Sequence, residues 1–499
     1  SRLAPRTRRS RAPLPPRLRT RSPPAAPGMP RRAGLGQTQD VPEAKRRRGE
    51  EAEAEADDES GSSVEDDPEE GAYNEESEEE LEENEETAAK RVFRPGIDTV
   101  EKGEELAYEP GTYDLLHRAQ VDWPCLSFDV MKDDLGAQRS AYPMTAYIVA
   151  GTQAEQVADN RIYVMKWHKL YMTNRDGRED SDDDEESSDE DSEDDHEAAL
   201  ELRSVQHPGG VNRIRSMPQA AHIVATWADT GKVHVWNLDA QKKSLNKAGD
   251  RSAPSIKPLH TCDAHAEEGY AMDFNPHSVG RFLSGSNDAK VLLYEPVQGG
   301  WKVDTACAFT AHSASVEDVQ WKRKGDGCQH IFASCGADRS FRVWDVREAN
   351  RTRSAVHVAD AHAADVNVLG WSPIVGELLA TGADDGGFKV WDTRNTGAGP
   401  MANFMWHKKG VTSLDWHPTD ETMLGVAADD DTVSIWDMAV EDDAEGGEKP
   451  AGAEDYPAQL MFLHMGQKEL KELKWHPQLQ GVCITTAGSG FNIFKTCNS

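Results

Sequence analysis

Between residues 142 and 496 the chain is written in short alternating runs of apolar and polar residues, not in helical stripes. One group shows the pattern. SVEDVQW (315–321) alternates as a strand, and SCGADRSFRVWDV (334–346) holds a small-residue strand, a turn at Asp338 and a further strand ending at Trp344-Asp345; His312 precedes both. Alternation with a period of two, rich in β-branched and aromatic residues, predicts half-buried strands, and the small residues with Asp predict the turn. The group recurs around His207, His265, His312, His362, His407 and His464. Four of these His lie 29 positions before an aromatic residue (Trp236, Tyr294, Trp391, Trp436), while His464 lies 30 before Phe494 and His312 lies 32 before Trp344. Successive His are 45 to 58 residues apart, so the variation in length falls in the connections. A seventh unit, without the His, is read within 142–168 from TAYIVAG and NRIYVMKW.

This is the WD-repeat signature, whose unit is a four-stranded blade. It predicts an all-β fold, a seven-bladed WD-repeat β-propeller over residues 136–499. The spacing has a physical reason. A turn Asp accepts from the His, the His reaches a strand Ser or Thr, and that hydroxyl meets the Trp indole, because buried polar groups must be paired. Asp288, Asp338, Asp385 and Asp430 each stand six positions before the closing aromatic. Asp229 stands seven before Trp236, and Gly488 occupies the Asp place in the last unit, so those two units are expected to lack a full relay. All these residues read as scaffold.

Ahead of the blades, YEPGTYDLLHRAQVDWPCLSFDV (108–130) places Tyr113, Leu116, Ala119 and Gln120 on a helical period. A helix ending before Trp123-Pro124 is expected, followed by a strand through Leu126, Phe128 and Val130 that completes the last blade. Residues 91–135 thus read as a helix and a closing strand.

Charge then divides the rest. The formal net charge is −34, and residues 50–87 carry 21 acidic residues without a Lys or Arg. The 50–90 segment is too acidic to bury a core and is expected to be disordered. A second run, 176–197, carries 15 acidic residues and one Arg, and it is read as an insertion between the first and second blades. Within it Ser181, Ser187, Ser188 and Ser192 each have an acid three residues on, the pattern of an acid-directed kinase. Residues 1–49 are the opposite, with 14 basic and two acidic residues. Residues 1–28, rich in Arg and Pro, read as an upstream extension or misassigned start, a transit peptide being the alternative. Lys45 to Arg48 form a basic cluster of nuclear-import type, for which a plain solvated charge run is an equal reading. The seven Cys stand singly with no CxxC, which favours neither a disulfide framework nor a zinc site and suits a reducing compartment. No cofactor or metal is expected, and no apolar run approaches membrane-spanning length.

HRAQ, CLSFD, AGTQAE, SVEDVQW, ADVNVLGW and KELKWHP, with the acidic insertion, make the chain from about residue 95 onward similar to the glutamate-rich WD-repeat family. That family is the ribosome-assembly branch of the retinoblastoma-binding type of WD-repeat histone chaperone. The resemblance implies a nuclear and nucleolar escort for a basic client, a large-subunit ribosomal protein of the L three type, with histone binding in the wider group. It further implies a groove between the amino-terminal helix and an acidic loop after the sixth blade. Here the helix would supply Tyr113, Leu116 and Gln120, and VEDDAEGGEKPAGAEDYP (440–457) would supply Glu441, Asp442, Asp443, Glu445, Glu454 and Asp455. An apolar face beside an acidic loop suits a basic amphipathic segment. The group's helix sequence is only partly matched, which weakens the case for histones. The plain alternative is a helix that seals the last blade beside a solvated loop. The expected protein is a monomer that contacts pre-ribosomal particles through its client and binds neither nucleic acid nor membrane directly.

A second class rests on Trp344-Asp345-Val346-Arg347 and Trp391-Asp392-Thr393-Arg394, which resemble the box by which WD-repeat receptors dock onto the cullin-four ubiquitin ligase adaptor. Arg347 and Arg394 would then sit on the rim, although xDxR also follows from the repeat itself. No Walker loop, HExxH or nucleophile elbow is present, so an enzyme is not expected.

Overall fold

The computed structural model describes residues 106–109, 111–173, 197–247, 256–441 and 456–497, all within the unit Arg91–Ser499. Among them the strands form seven four-stranded antiparallel sheets, each sheet one blade. Blade 1 runs Cys125–Val130, Met144–Thr152, Arg161–Leu170 and Ala199–Gln206, and blade 2 opens at Val211–Met217. Blades 3 to 6 open at Ala271–Phe274, Val316–Trp321, Val366–Trp371 and Val411–Trp416. Blade 7 is built from Leu470–Trp475, Val482–Ala487 and Gly490–Thr496, and its fourth strand is Tyr113–Ala119 from the other end of the chain. Seven buried apolar clusters join the blades around the ring, from Trp236 between blades 1 and 2 to Ile493 between blades 7 and 1.

Three expectations are corrected. The segment holding Tyr113, Leu116 and Ala119 is a strand, not a helix, with Gln120 just beyond its end. Its helix-like spacing comes from a β-bulge at Asp114, where the register passes from Tyr113 opposite Thr496 to Leu115 opposite Lys495. The bulge puts Tyr113 and Leu116, three apart, in the core shared with blade 6, while Leu115 joins the core shared with blade 1. This strand, not the one through Phe128, closes the last blade; Cys125–Val130 is the inner strand of blade 1. Finally, the connections holding the two acidic stretches lie within blades 1 and 6, each between the third and fourth strands. The repeat and the blade are offset by one strand, since the outer strand of each blade lies in the connection before the next unit.

The relay forms as the spacing requires. In blade 4 the Trp344 indole donates to Ser334 Oγ at 2.8 Å, Ser334 meets His312 Nε2 at 2.7 Å, and His312 Nδ1 lies 3.0 Å from Asp338. Blade 5 keeps the Trp391, Thr381 and His362 links, but Asp385 stands 3.6 Å from the His. Blade 6 draws its hydroxyl from Ser434 on the third strand, directly across the ladder from Val426. Blade 2 lacks the Asp leg, and His207 Nδ1 donates instead to the Gly209 carbonyl at 2.8 Å.

Inner strands are sheet edges, and each blade covers part of its neighbour's. Asp273 accepts from Trp321 N at 2.8 Å, Asp318 from Leu369 N at 3.2 Å and Asp415 from Trp475 N at 2.9 Å. The densest latch joins blades 7, 1 and 2. Glu472 accepts from Ser127 Oγ at 2.7 Å and Phe128 N at 2.9 Å, and pairs with Arg215 at 2.7 Å and Arg213 at 3.2 Å. Burial alone pushes the Glu472 carboxyl up, but Arg215, then Arg213 and Lys474, overcome it and hold it down at about 2.

Candidate functional site

Blade 7 is where both ends of the propeller meet, and its outer strand is held on three sides. Inward, Tyr113–Ala119 pairs with Gly490–Thr496. Toward blade 6, Tyr113 Oη lies 2.7 Å from His464 Nδ1, and the Asn492 amide lies 3.0 Å from His464 Nε2. With the amide donating to Nε2, Nδ1–H donates to the Tyr113 oxygen, which thus stands where other blades place the relay Asp. Burial drives His464 down to about 3, so the ring is neutral. Toward blade 1, Leu116 N donates to Thr173 Oγ1 at 2.7 Å, His117 Nε2 meets the Tyr171 carbonyl at 2.9 Å, and Thr173 N donates to the Asp114 carbonyl at 3.0 Å.

Tyr171 to Thr173 are the first residues of the connection between Leu170 and Ala199, whose sequence is the acidic 176–197 run. The other acidic connection leaves blade 6 after Asp437 and returns at Leu460. Both join third to fourth strands, so they open on the same face of the ring, one on each side of blade 7. Exposed apolar rings stand near their stems. Tyr108 is 44% exposed with its ring 5.3 Å from Tyr113, and Tyr456 is 42% exposed with its ring 5.6 Å from Trp406.

The expected site residues are therefore split. Tyr113 and Leu116 are buried core residues, 6% and 9% exposed, and are not free for a partner in this fold. Glu441 is exposed at the stem of the blade 6 connection, whereas Gln120 is exposed beyond the far end of the closing strand, beside Gly490, on the other face of the ring. Asp442, Asp443, Glu445, Glu454 and Asp455 lie outside the described residues, as do Ser181, Ser187, Ser188 and Ser192. Reading the sequence missed the Thr173 clasp and the Tyr113–His464 bond; the only hint was a lone relay His in a unit with no Asp.

Arg347 and Arg394 occupy equivalent places at the ends of third strands in blades 4 and 5. Each folds back on the Asp two residues earlier, with Nε 2.9 Å from Asp345 Oδ1 and from Asp392 Oδ1 respectively. Both remain largely in solvent, with side chains 60% and 72% exposed.

In the channel, buried Asp273 and Asp318 are raised by desolvation against nearby arginines, and Asp415 is pushed up to about 6 by burial against Lys474. Each has an inner-strand amide to hold, so these shifts express structure. Among the described residues no three His, Cys, Asp or Glu are grouped to hold a metal. No described helix is long and apolar enough to cross a membrane.

Comparison with known proteins agrees with this geometry. The family described as "Histone-binding protein RBBP4", which also takes in a component of the CAF1 complex, matches residues 103–171, which include the closing strand and the Thr173-side stem up to Tyr171. The WD domain, G-beta repeat, matches 304–345, 353–392 and 399–437. Among relatives, "Ribosome assembly protein rrb1" of Schizosaccharomyces pombe is 38% identical, covering 80% of this chain and 83% of that protein. "Glutamate-rich WD repeat-containing protein 1" of Dictyostelium discoideum is 42% identical over 82% and 86%. "Protein HEAT STRESS TOLERANT DWD 1" of Arabidopsis thaliana is 40% identical over 82% and 92%.

Proposed function

The chain belongs to the glutamate-rich WD-repeat family, and from that premise we propose that it is a non-enzymatic chaperone that receives a basic protein client in ribosome biogenesis. Its relatives point to a non-catalytic scaffold in ribosome assembly or histone binding. The finer reading is a large-subunit ribosomal protein of the L three type, held in the nucleus and nucleolus, with histones as a secondary client. One observation carries it: the two acid-rich connections, with 15 acids in 176–197 and seven in 440–457, are rooted on either side of blade 7 on one face. Such charge speeds encounter with a basic segment and competes with RNA for it. Glu441, Asp442, Asp443, Glu445, Glu454 and Asp455 supply charge on one side, and Tyr108 supplies contacts beside it. Phosphate on Ser181, Ser187, Ser188 or Ser192 would deepen the other side by roughly −1.5 to −2 charges each.

Because 108–130 holds strands of blades 7 and 1, deleting it tests folding, so charge is the variable to change. The test is affinity purification from salt-washed nuclear extract, with the intact chain compared against one whose acids in 442–455 and 182–195 are replaced by Asn and Gln. Recovery of one stoichiometric basic ribosomal protein, lost on neutralisation, supports the reading; equal recovery by both chains rejects it.

A second reading has its own observation, the matched exposed forks of Arg347 and Arg394. An Arg already oriented by its own Asp presents its remaining N–H groups to a partner carboxylate at low entropic cost. On this reading the protein is a substrate receptor of a cullin-four ubiquitin ligase. Pull-down of the adaptor, unchanged by Arg347→Ala with Arg394→Ala, would reject it.

A further inference from the structure

Every blade ends in an outer strand, whose far side offers a row of backbone N–H and C=O groups that its own sheet does not pair. Such an edge invites another strand unless it is short, charged or covered. Most edges of this ring are protected in one of these ways. The outer strands of blades 1 and 3 carry Glu201 with Arg203 and Lys302, and those of blades 2 and 4 are three residues long. Blade 7 is covered by its own chain: Leu116 N donates to Thr173 Oγ1, which donates back to the Leu116 carbonyl at 3.3 Å. Two edges have none of these devices, Ala402–Met405 in blade 5 and Leu460–His464 in blade 6.

The register of blade 6 shows which amides its edge presents. Phe462 stands opposite Ile435 and His464 opposite Val433, as His117 and Ala119 stand opposite Ile493 and Phe491 in blade 7. Leu116, one before His117, turns its amide out of the ladder to Thr173. Met461, one before Phe462, holds the same place in blade 6, and Leu463 follows two on, so both amides face away from the sheet. Their side chains share one face of the strand, Met461 exposed and Leu463 half-buried.

Charge separates blade 6 from blade 5. The blade 6 edge is entered directly from the acid-rich 440–457 connection. Its neighbour, the blade 7 edge, is clasped at Thr173, three residues before the first acid of 176–197. The connection entering the blade 5 edge, 393–401, holds one Arg and no acid. A basic strand is therefore drawn to blade 6 and not to blade 5.

We propose that the basic client docks an extended segment on the blade 6 edge as a fifth strand, its backbone bonded to Met461 and Leu463. This rests on the client reading and specifies how the guest is held: main-chain bonds from the edge, charge from the two connections. A segment of about five or six residues spans Leu460–His464. Alternating basic and apolar residues fit it, the apolar ones against Met461 and Leu463.

The test follows hydrogen exchange of the full chain by mass spectrometry at about 50 mM salt. The probes are a blocked Lys-Val-Lys-Val-Lys-Val-Lys peptide, a Lys-Pro-Lys-Pro-Lys-Pro-Lys peptide that keeps the charge but cannot lie as a strand, and a purified basic large-subunit ribosomal protein. Exchange over 459–465 should slow by about fivefold or more with the first and the last, and not with the Lys-Pro peptide. Leu463→Pro removes one outward amide, a change that edge strands tolerate, and should weaken the Lys-Val peptide by about tenfold or more. Asn403→Pro, at the same place in blade 5 opposite Lys389, should leave it unchanged. Should a variant fail to fold, the comparison of the two peptides on the unaltered chain decides alone. Equal binding of both peptides, or acid-dependent binding of the ribosomal protein with exchange over 459–465 unchanged, overturns the edge and leaves the client reading standing. No binding of any probe overturns both.

Discussion

Glu472→Gln is the sharpest test of how the ring is closed. The side chain is 2% exposed and joins three blades through Ser127, Phe128, Arg213 and Arg215. Its carboxyl is held at about 2 against an ordinary value of 4.5. A group whose pKa is depressed on folding adds stability that is fully present above its unfolded value. That stability is lost as pH falls through the folded value, here from 4.5 toward 2. At about 1.4 kcal/mol per unit, the charge contributes roughly 3 kcal/mol at pH 7. Glutamine keeps the shape and an acceptor for Phe128 N but removes the buried carboxylate that Arg213 and Arg215 share, and breaking buried pairs costs about 3–5 kcal/mol. Urea unfolding followed by tryptophan fluorescence, run on both proteins at pH 7 and pH 3, reads the difference directly. The expected gap is roughly 3 kcal/mol at pH 7 and about 1 kcal/mol at pH 3, and the acidic segments, common to both chains, cancel. A gap below about 0.5 kcal/mol at pH 7, or one that does not narrow with acid, would refute the assignment.

Tyr113→Phe removes the hydroxyl 2.7 Å from His464 and leaves a buried imidazole nitrogen unpaired, so it should cost about 1–3 kcal/mol in urea unfolding. Loss of under about 0.3 kcal/mol would show the bond to be idle. Asp338→Asn should destabilise more than Asp385→Asn, because His312 is 3.0 Å from its carboxylate and His362 is 3.6 Å away. Although burial opposes it, the His312 bond keeps Asp338 below the usual carboxylate range, so this stabilisation is present above about pH 4 and fades in acid. Paired melts of the two variants at pH 7 and pH 3 check both the order and its pH dependence. Arg347→Ala with Arg394→Ala should leave the urea midpoint unchanged, since both side chains are exposed and each folds onto the Asp beside it.

The propeller was legible because its relay ties chemistry to spacing. A His, a hydroxyl, an Asp and an indole that must meet leave a periodic trace, and even blade 2, where a carbonyl replaces the Asp, keeps enough of it. The closing strand was not legible for a specific reason. A bulge at Asp114 breaks the alternation that marks a strand and puts Tyr113 and Leu116 on one face, the spacing of a helical stripe. The site was half legible. Charge located both acidic connections, but only the ladder, with its outer strand added from the amino-terminal side, shows that they flank blade 7. The latch at Glu472 left no trace in the sequence, since its partners Ser127 and Arg215 are more than 250 residues away.

The central claim, that a ring doing no chemistry receives a basic guest beside blade 7, is tested most directly by calorimetric titration of the intact chain with a purified basic large-subunit ribosomal protein at about 50 mM and 500 mM salt. The account predicts a one-to-one complex that weakens by at least tenfold at the higher salt and weakens comparably when the acids of 442–455 and 182–195 are neutralised. No complex at low salt, or one indifferent to both salt and neutralisation, would contradict it.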